Sequence, residues 1–318
     1  MSTKKFIYPL MFALLGLFAV GCNDNNDDPK PGDNVTPNTL VDVAKNNNFT
    51  ILVQALERVN LAATLSGTDE FTVFAPTDAA FNDLLIELNL ESLADVDDAT
   101  LTQILLNHVV SGKVLAADLE DGYVKTLAEG PNQSKISLLV AGTRLNNRAD
   151  IGTSDVMADN GVVHVINKVI TIPNVVTAAL ANPNFSILVA ALTRDDLDTD
   201  FIGTLSAEGP FTVFAPTNDA FTALLASNEN WNGLSDIPKE TLELVLKYHV
   251  IAGQNITLSA ITDGVKPEMF AGGTITINTT SGVVITDGNG GKSTVRIADV
   301  QTSNAVIHAI DNVLIPNP

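Results

Sequence analysis

Apolar residues recur along this chain with two different periods, and the change from one to the other happens twice. In the first half, Phe49, Leu52, Val53 and Leu56 fall three or four residues apart. That spacing lines one face of a helix, and Asn48 is placed to cap its start. "FTVFA" (71–75) is apolar on both faces, which predicts a short strand buried in the middle of a sheet. Pro76 stops the strand, Thr77 or Asp78 can cap the next helix, and Phe81, Leu84, Leu85 and Leu88 form that helix's inner stripe. A further helix carries Leu101, Ile104, Leu105 and His108. From there the period falls to two. "YVKTL", "KISLLV" and "GVVHVINKVI" read as strands separated by Gly, Asn and Asp turns. Helices first and strands mostly later predict an α+β domain rather than alternating βαβ units.

The second half repeats the first. "FTVFAPTDAAF" (71–81) returns as "FTVFAPTNDAF" (211–221), and "NNNFTILVQALERV" (46–59) as "NPNFSILVAALTRD" (182–195). "LNHVVSGKV" (106–114) parallels "KYHVIAGQN" (247–255), and "NGVVHVINKVITIP" (160–173) parallels "NAVIHAIDNVLIP" (304–316). A repeat this long means two whole domains, not the 20–50-residue units of a solenoid. The boundary falls just after Pro173.

The "TVFAPT" box, the Tyr-His element at Tyr248-His249 and the closing "NGVVHVI" box resemble those of the fasciclin, or FAS1, family, over 36–173 and 174–316. The resemblance implies two tandem FAS1 domains, each a β-wedge or sandwich packed with α-helices. It also implies a surface or extracellular protein that binds matrix or surface components and has no enzymatic activity. The copies depart from the pattern at two places. Asn107 stands where the second domain has Tyr248, and Ala305 replaces the glycine present as Gly161. The integrin recognition linked to the Tyr-His element in some animal members is therefore not carried across.

The amino terminus bears on location. Lys4 and Lys5 precede the apolar run Phe6 to Val20, which ends at Gly21-Cys22. A basic flank, a run of about 15 apolar residues and small residues before a break describe a secretory signal, and the run falls short of the roughly 20 residues that span a bilayer. "LFAVGC" resembles the lipobox of bacterial lipoproteins, which marks Cys22, the only cysteine, for lipidation. The expected organisation is a lipoprotein signal peptide at 1–21, a flexible acidic tether at 22–35, and domains at 36–173 and 174–318. The expected location is a bacterial cell envelope, as an outer-membrane lipoprotein that faces the periplasm or is displayed at the surface. The membrane is met through the lipid alone. A formal charge of −20 repels phosphate backbones, which excludes nucleic acid as a partner.

The four histidines are the candidates for chemistry. They pair across the repeat, His108 with His249 and His164 with His308, and each lies in an apolar stripe. Histidines so placed are more often hydrogen-bonded core residues than catalysts, so these four and Tyr248 are expected to form a structural core motif, with Asp78 or Asn218 near a ring. Two histidines per domain and no cysteine in either argue against zinc. Neither a G-x-S-x-G elbow nor an H-E-x-x-H helix occurs. "TDGNGGKST" (286–294) approaches a phosphate-binding loop, but "TVRIADV" after it reads as a strand, so a glycine-rich hairpin is expected. Asp196, Asp198 and Asp200 alternate as calcium ligands do, yet Phe201 occupies the place of the sharp-turn glycine and Ala207 that of the bidentate glutamate; a solvated acidic loop is the preferred reading. No cofactor or metal is expected. The function expected is adhesion, or binding to an unidentified surface protein or glycan. The alternative is capture of a glycan or small molecule for a nutrient importer, which the single Trp231, read as a packing residue, does not favour.

Overall fold

The computed structural model describes residues 38–280 and 282–317, so the signal, the tether and Cys22 lie outside the described residues. The first repeat opens with helices α1 (Leu40–Asn46), α2 (Thr50–Arg58) and α3 (Ala62–Leu65). Strand β1 (Phe71–Pro76) leads into α4 (Asp78–Glu87) and α5 (Asp98–Leu106). Strands follow: β2 (Val109–Ser111), β3 (Gly122–Glu129), β4 (Lys135–Ala141), β5 (Arg144–Leu145), β6 (Ala149–Asp150), β7 (Val156–Ala158) and β8 (Gly161–Ile166). The second repeat has α6 (Val175–Ala181), α7 (Ser186–Leu192), α8 (Phe201–Ser206), β9 (Phe211–Pro216), α9 (Asn218–Ala226) and α10 (Lys239–Lys247). It closes with β10 (Val250–Ala252), β11 (Thr276–Asn278), β12 (Val284–Thr286), β13 (Lys292–Gln301) and β14 (Ala305–Ile310).

The first sheet runs β6-β5-β4-β3-β2-β1-β8-β7 and the second β10-β9-β14-β13-β12-β11. At the heart of each, the "FTVFAP" strand lies between an antiparallel neighbour and a parallel one, β1 between β2 and β8, β9 between β10 and β14. The registers match: Phe71 faces Gly161, and Phe211 faces Ala305. Every residue of β1 is buried, and its one polar side chain, Thr72, donates to the Gly112 carbonyl at 2.7 Å. The sheet curls until Ile151 bridges back to Ile166. Each domain therefore has a helix-side core, with Leu52, Phe81, Leu101 and Val163 in the first, and a core inside the curl, with Phe74, Leu138, Val140 and Ile166. Phe185, Phe221, Leu246 and Ile307, and then Phe214, Tyr248, Ile277 and Ile310, fill the same places in the second.

Two local expectations are corrected. Asn48 does not cap α2; it takes a left-handed φ of 59°, and Phe49 occupies the cap position without a side-chain bond. The orphan N–H of Ile51 is instead met by the Asp78 carboxylate at 2.9 Å, reaching across from the start of α4. Asn218 does the same for Ile187 at 2.9 Å. The last strand also stops early, at Ile166 rather than Ile170. The caps of the following helices sit on Thr77 and Thr217, whose hydroxyls accept from Ala80 and Ala220.

Candidate functional site

All four imidazoles are buried, and each has both ring nitrogens committed to backbone. His108 lies just past the end of α5; its Nδ1 donates to the Ile104 carbonyl at 2.7 Å and its Nε2 accepts from the Ile170 N–H at 2.8 Å. His249 repeats this with Val245 at 2.7 Å and Leu314 at 2.9 Å. The second pair uses the opposite tautomer. His164 Nε2 donates to Val114 at 2.9 Å while Nδ1 accepts from Asp155 N–H at 3.3 Å. His308 does so with Ile256 at 2.8 Å and Asp299 at 3.4 Å, and the rings stack on Phe74 and Phe214. Burial pushes the His108 and His249 imidazoles down to about 4 and lowers His308, so these three bridges are made by neutral rings. The ring partners are backbone groups and not Asp78 or Asn218, which are engaged at the helix starts. A nitrogen with no spare lone pair or proton can neither hold a metal nor relay a proton without breaking the fold.

Tyr248 and Asn107 solve one packing problem in two ways. Asn107, fully buried, donates to the Ile170 and Thr171 carbonyls at 3.3 Å and accepts from the Thr126 hydroxyl at 3.2 Å, which ties α5 to β3. Nearby, Gln103 Oε1 accepts from the Glu129 N–H at 2.9 Å. In the second domain Leu244 stands at the place of Gln103, and the Tyr248 hydroxyl donates to the Thr274 carbonyl at 2.7 Å. Glycines make room for that ring: a Cβ on Gly288 would sit 3.0 Å from its hydroxyl. Beside it opens a cleft of about 450 Å³, walled by Leu244, Tyr248, Gly272, Gly273, Gly288 and Pro316. A second hollow of about 390 Å³ shares Leu244 and Pro316 with it.

The remaining candidates are placed as follows. Asp196 forms a bidentate pair with Arg194 at 2.7 Å, Asp198 pairs with Lys239 at 2.5 Å, and Asp200 caps α8 by accepting from Gly203 at 2.8 Å. The three carboxylates are thus directed to three different partners. Among the described residues no group of three or more His, Cys, Asp or Glu side chains could hold a metal. "TDGNGGKST" is a hairpin between β12 and β13, held by Asp287, whose carboxylate accepts from Asn289, Gly291 and Ile315. Trp231 packs, partly buried, on the helix-side core. Asn160 and Asn304 were missed. Each opens the closing box and knits three distant groups: Asn160 accepts from Leu40 and donates to Leu65 and Gly67, and Asn304 accepts from Val175 and donates to Leu205 and Ala207. Their retention in both copies was the available signal.

The fasciclin domain family model matches residues 47–173 and 183–316. Protein sll1483 of Synechocystis sp. is 44% identical over 142 residues, 45% of this chain and 73% of that protein. The pig transforming growth factor-beta-induced protein ig-h3 is 31% identical over 259 residues, and human periostin 32% over 265; each alignment takes in 81% of this chain. The chain spans about a third of the length of those two proteins, 36% and 30% respectively. A solved FAS1 domain pair from the insect cell adhesion molecule fasciclin I aligns over 86% of this chain and 95% of that chain, with a TM-score of 0.47 and 20% identity. With matching boxes in both repeats and the family pattern over more than half of its length, the chain belongs to the fasciclin domain family.

Proposed function

We propose that this chain is a binding protein of the bacterial cell envelope, an adhesion or interaction module and not an enzyme. Its signal occupies 1–21, its acidic tether 22–35, and its domains 36–173 and 174–318, with a lipid on Cys22 as the only membrane attachment. One observation carries the reading: each histidine, the side chain best suited to acid–base work near neutral pH, is spent on holding backbone together inside a domain. What remains for function is the exposed surface, where a protein or glycan on another surface can be met. Adhesion of a strain lacking the chain, set beside the direct binding of the purified protein to host-protein and glycan arrays, tests this. Reduced adhesion with specific array binding is expected; unchanged adhesion and a blank array would refute it. Cys22→Ala is expected to move the protein to the soluble fraction.

A second reading, capture of a small glycan or other molecule for an importer, draws on the cleft beside Tyr248. It requires saturable heat of binding that Leu244→Arg abolishes.

A further inference from the structure

Domain 2 holds domain 1 through one corner of its sheet, and domain 1 carries the same corner with nothing upon it among the described residues. The held surface is the outer face of β3 and β4. Ser137 Oγ accepts from the Gln301 backbone N–H at 2.9 Å, and the Lys125 ammonium donates to Ser137 Oγ at 2.8 Å and to the Asp299 carbonyl. Tyr123 Oη accepts from the Asn182 amide at 2.9 Å, and the Pro131 carbonyl accepts from the Asn255 amide at 3.1 Å. Gln301 is left only 2% exposed.

The corner itself is duplicated. Asp299 and Asp155 both take a left-handed φ, 56° and 58°, and both carboxylates accept a loop N–H, from Leu258 at 2.8 Å and Ala116 at 2.9 Å. Gln301 faces Val306 and Met157 faces Val162 in the same register, so both N–H groups point off the sheet edge. Asn46 stands at the place of Asn182. The chain gains one residue just before this point in the second domain, since Val114 and Ile256 make the same bond to Thr72 and Thr212, at 2.8 and 2.9 Å; this puts Lys113 at the place of Asn255, and Asn46 and Lys113 are both exposed. Each polar partner that domain 2 offers therefore has a counterpart: an amide for Tyr123, an edge N–H for Ser137, a carbonyl for Lys125 and a donor for Pro131. Met157 itself is 48% exposed. Domain 2's own counterpart of the held face lacks the matching groups, with Val265 and Pro267 where Tyr123 and Lys125 stand.

We propose that the Asp155–Met157 corner of domain 1 is a socket for the Tyr123/Lys125/Ser137 face of a second copy of this chain, and that domain 2 is an intramolecular cap that withholds this face. Socket and face are different surfaces of one domain, so the contact between copies is head-to-tail and adds chain upon chain. The cap is imperfectly matched. Asn255 Oδ1 and Gln301 Nε2 are buried without partners, and Lys125 is partly desolvated. Each unpaired buried group weakens docking, which leaves the face within reach of release.

Gln301→Arg in the full chain tests this by placing a second cation beside Lys125. Small-angle scattering is expected to show an expanded chain, and sedimentation velocity to show a mass that rises with concentration through multiples of one chain, where the unaltered protein stays at one. Adding Met157→Arg, or Lys125→Glu, is expected to return the opened chain to a single-chain mass. An opened chain that remains single at all concentrations overturns the proposal, as does assembly that survives Met157→Arg. Circular dichroism separates opening from unfolding. Should Gln301→Arg leave the chain compact, Asn182→Arg is added; a chain compact after both overturns the cap, since these contacts would not be what holds it.

Discussion

The two domains share their boxes but close their helix-to-sheet seam differently. In the first, Asn107 and Gln103 stitch α5 to β3, and the sheet carries eight strands. In the second, Tyr248 fills the seam with a ring and one hydroxyl bond, Leu244 is left 43% exposed, and the sheet has six. The imidazole bridges survive in both, as do the two asparagine knots. What the duplication has kept is what closes each core; what it has varied is a buried seam, Asn107 against Tyr248, whose outer edge in the second domain is the exposed Leu244.

The comparison breaks first at the bridges. His108→Ala or His249→Ala leaves a buried N–H and a carbonyl unpaired around a cavity, and is expected to cost its domain about 3–5 kcal/mol. Denaturant unfolding resolves the halves, because Trp231, the only tryptophan, reports on the second domain. Acid attacks the same bridges. Their folded-state values of about 4 lie below the ordinary 6.5, so the unfolded chain binds more protons between those limits. Stability is therefore full above pH 6.5 and is lost as pH falls towards 4, by on the order of 3 kcal/mol per imidazole, in both domains alike. Midpoints measured across that range check the sign.

Smaller changes sharpen the differences. Gly161 has a φ of 153°, and a Cβ there would lie 2.0 Å from the Phe71 carbonyl oxygen. Gly161→Ala is expected to cost the first domain about 2–3 kcal/mol, whereas Ala305 at the matching place of the second avoids a positive φ. Tyr248→Phe removes one hydrogen bond and keeps the ring, for a loss of about 1 kcal/mol confined to the tryptophan signal. Asp196→Ala and Asp198→Ala leave the midpoint unchanged, and added calcium shifts neither variant nor parent in a thermal-melt assay.

Much of this fold was legible because the strongest signals were local. The six-residue apolar strand, the threonine caps and the repeated boxes each follow from period and turn chemistry. What escaped was set by residues far apart in the chain. Asp78 caps α2 from 27 positions away, which left Asn48 free to turn the chain instead. The parallel pairing of β1 with β8 joins strands some 90 residues apart, and no local pattern announces it. The apolar stripes mark the histidines as core, but their partners are backbone groups that carry no side-chain signature, and the expected Asp78 or Asn218 is not among them. Asn160 ties together three segments, and its partners, the backbone of Leu40, Leu65 and Gly67, lie some 90 to 120 positions away where no local pattern points to them.

Nitrogen-15 NMR of the four imidazoles across pH 4 to 8 is the most direct measurement. Locked bridges give single tautomers, Nδ1–H for His108 and His249 and Nε2–H for His164 and His308, with no titration of the first two above about pH 5. Averaged tautomers and a midpoint near 6.5 for His108 and His249 would contradict the claim that the repeated boxes serve the scaffold alone.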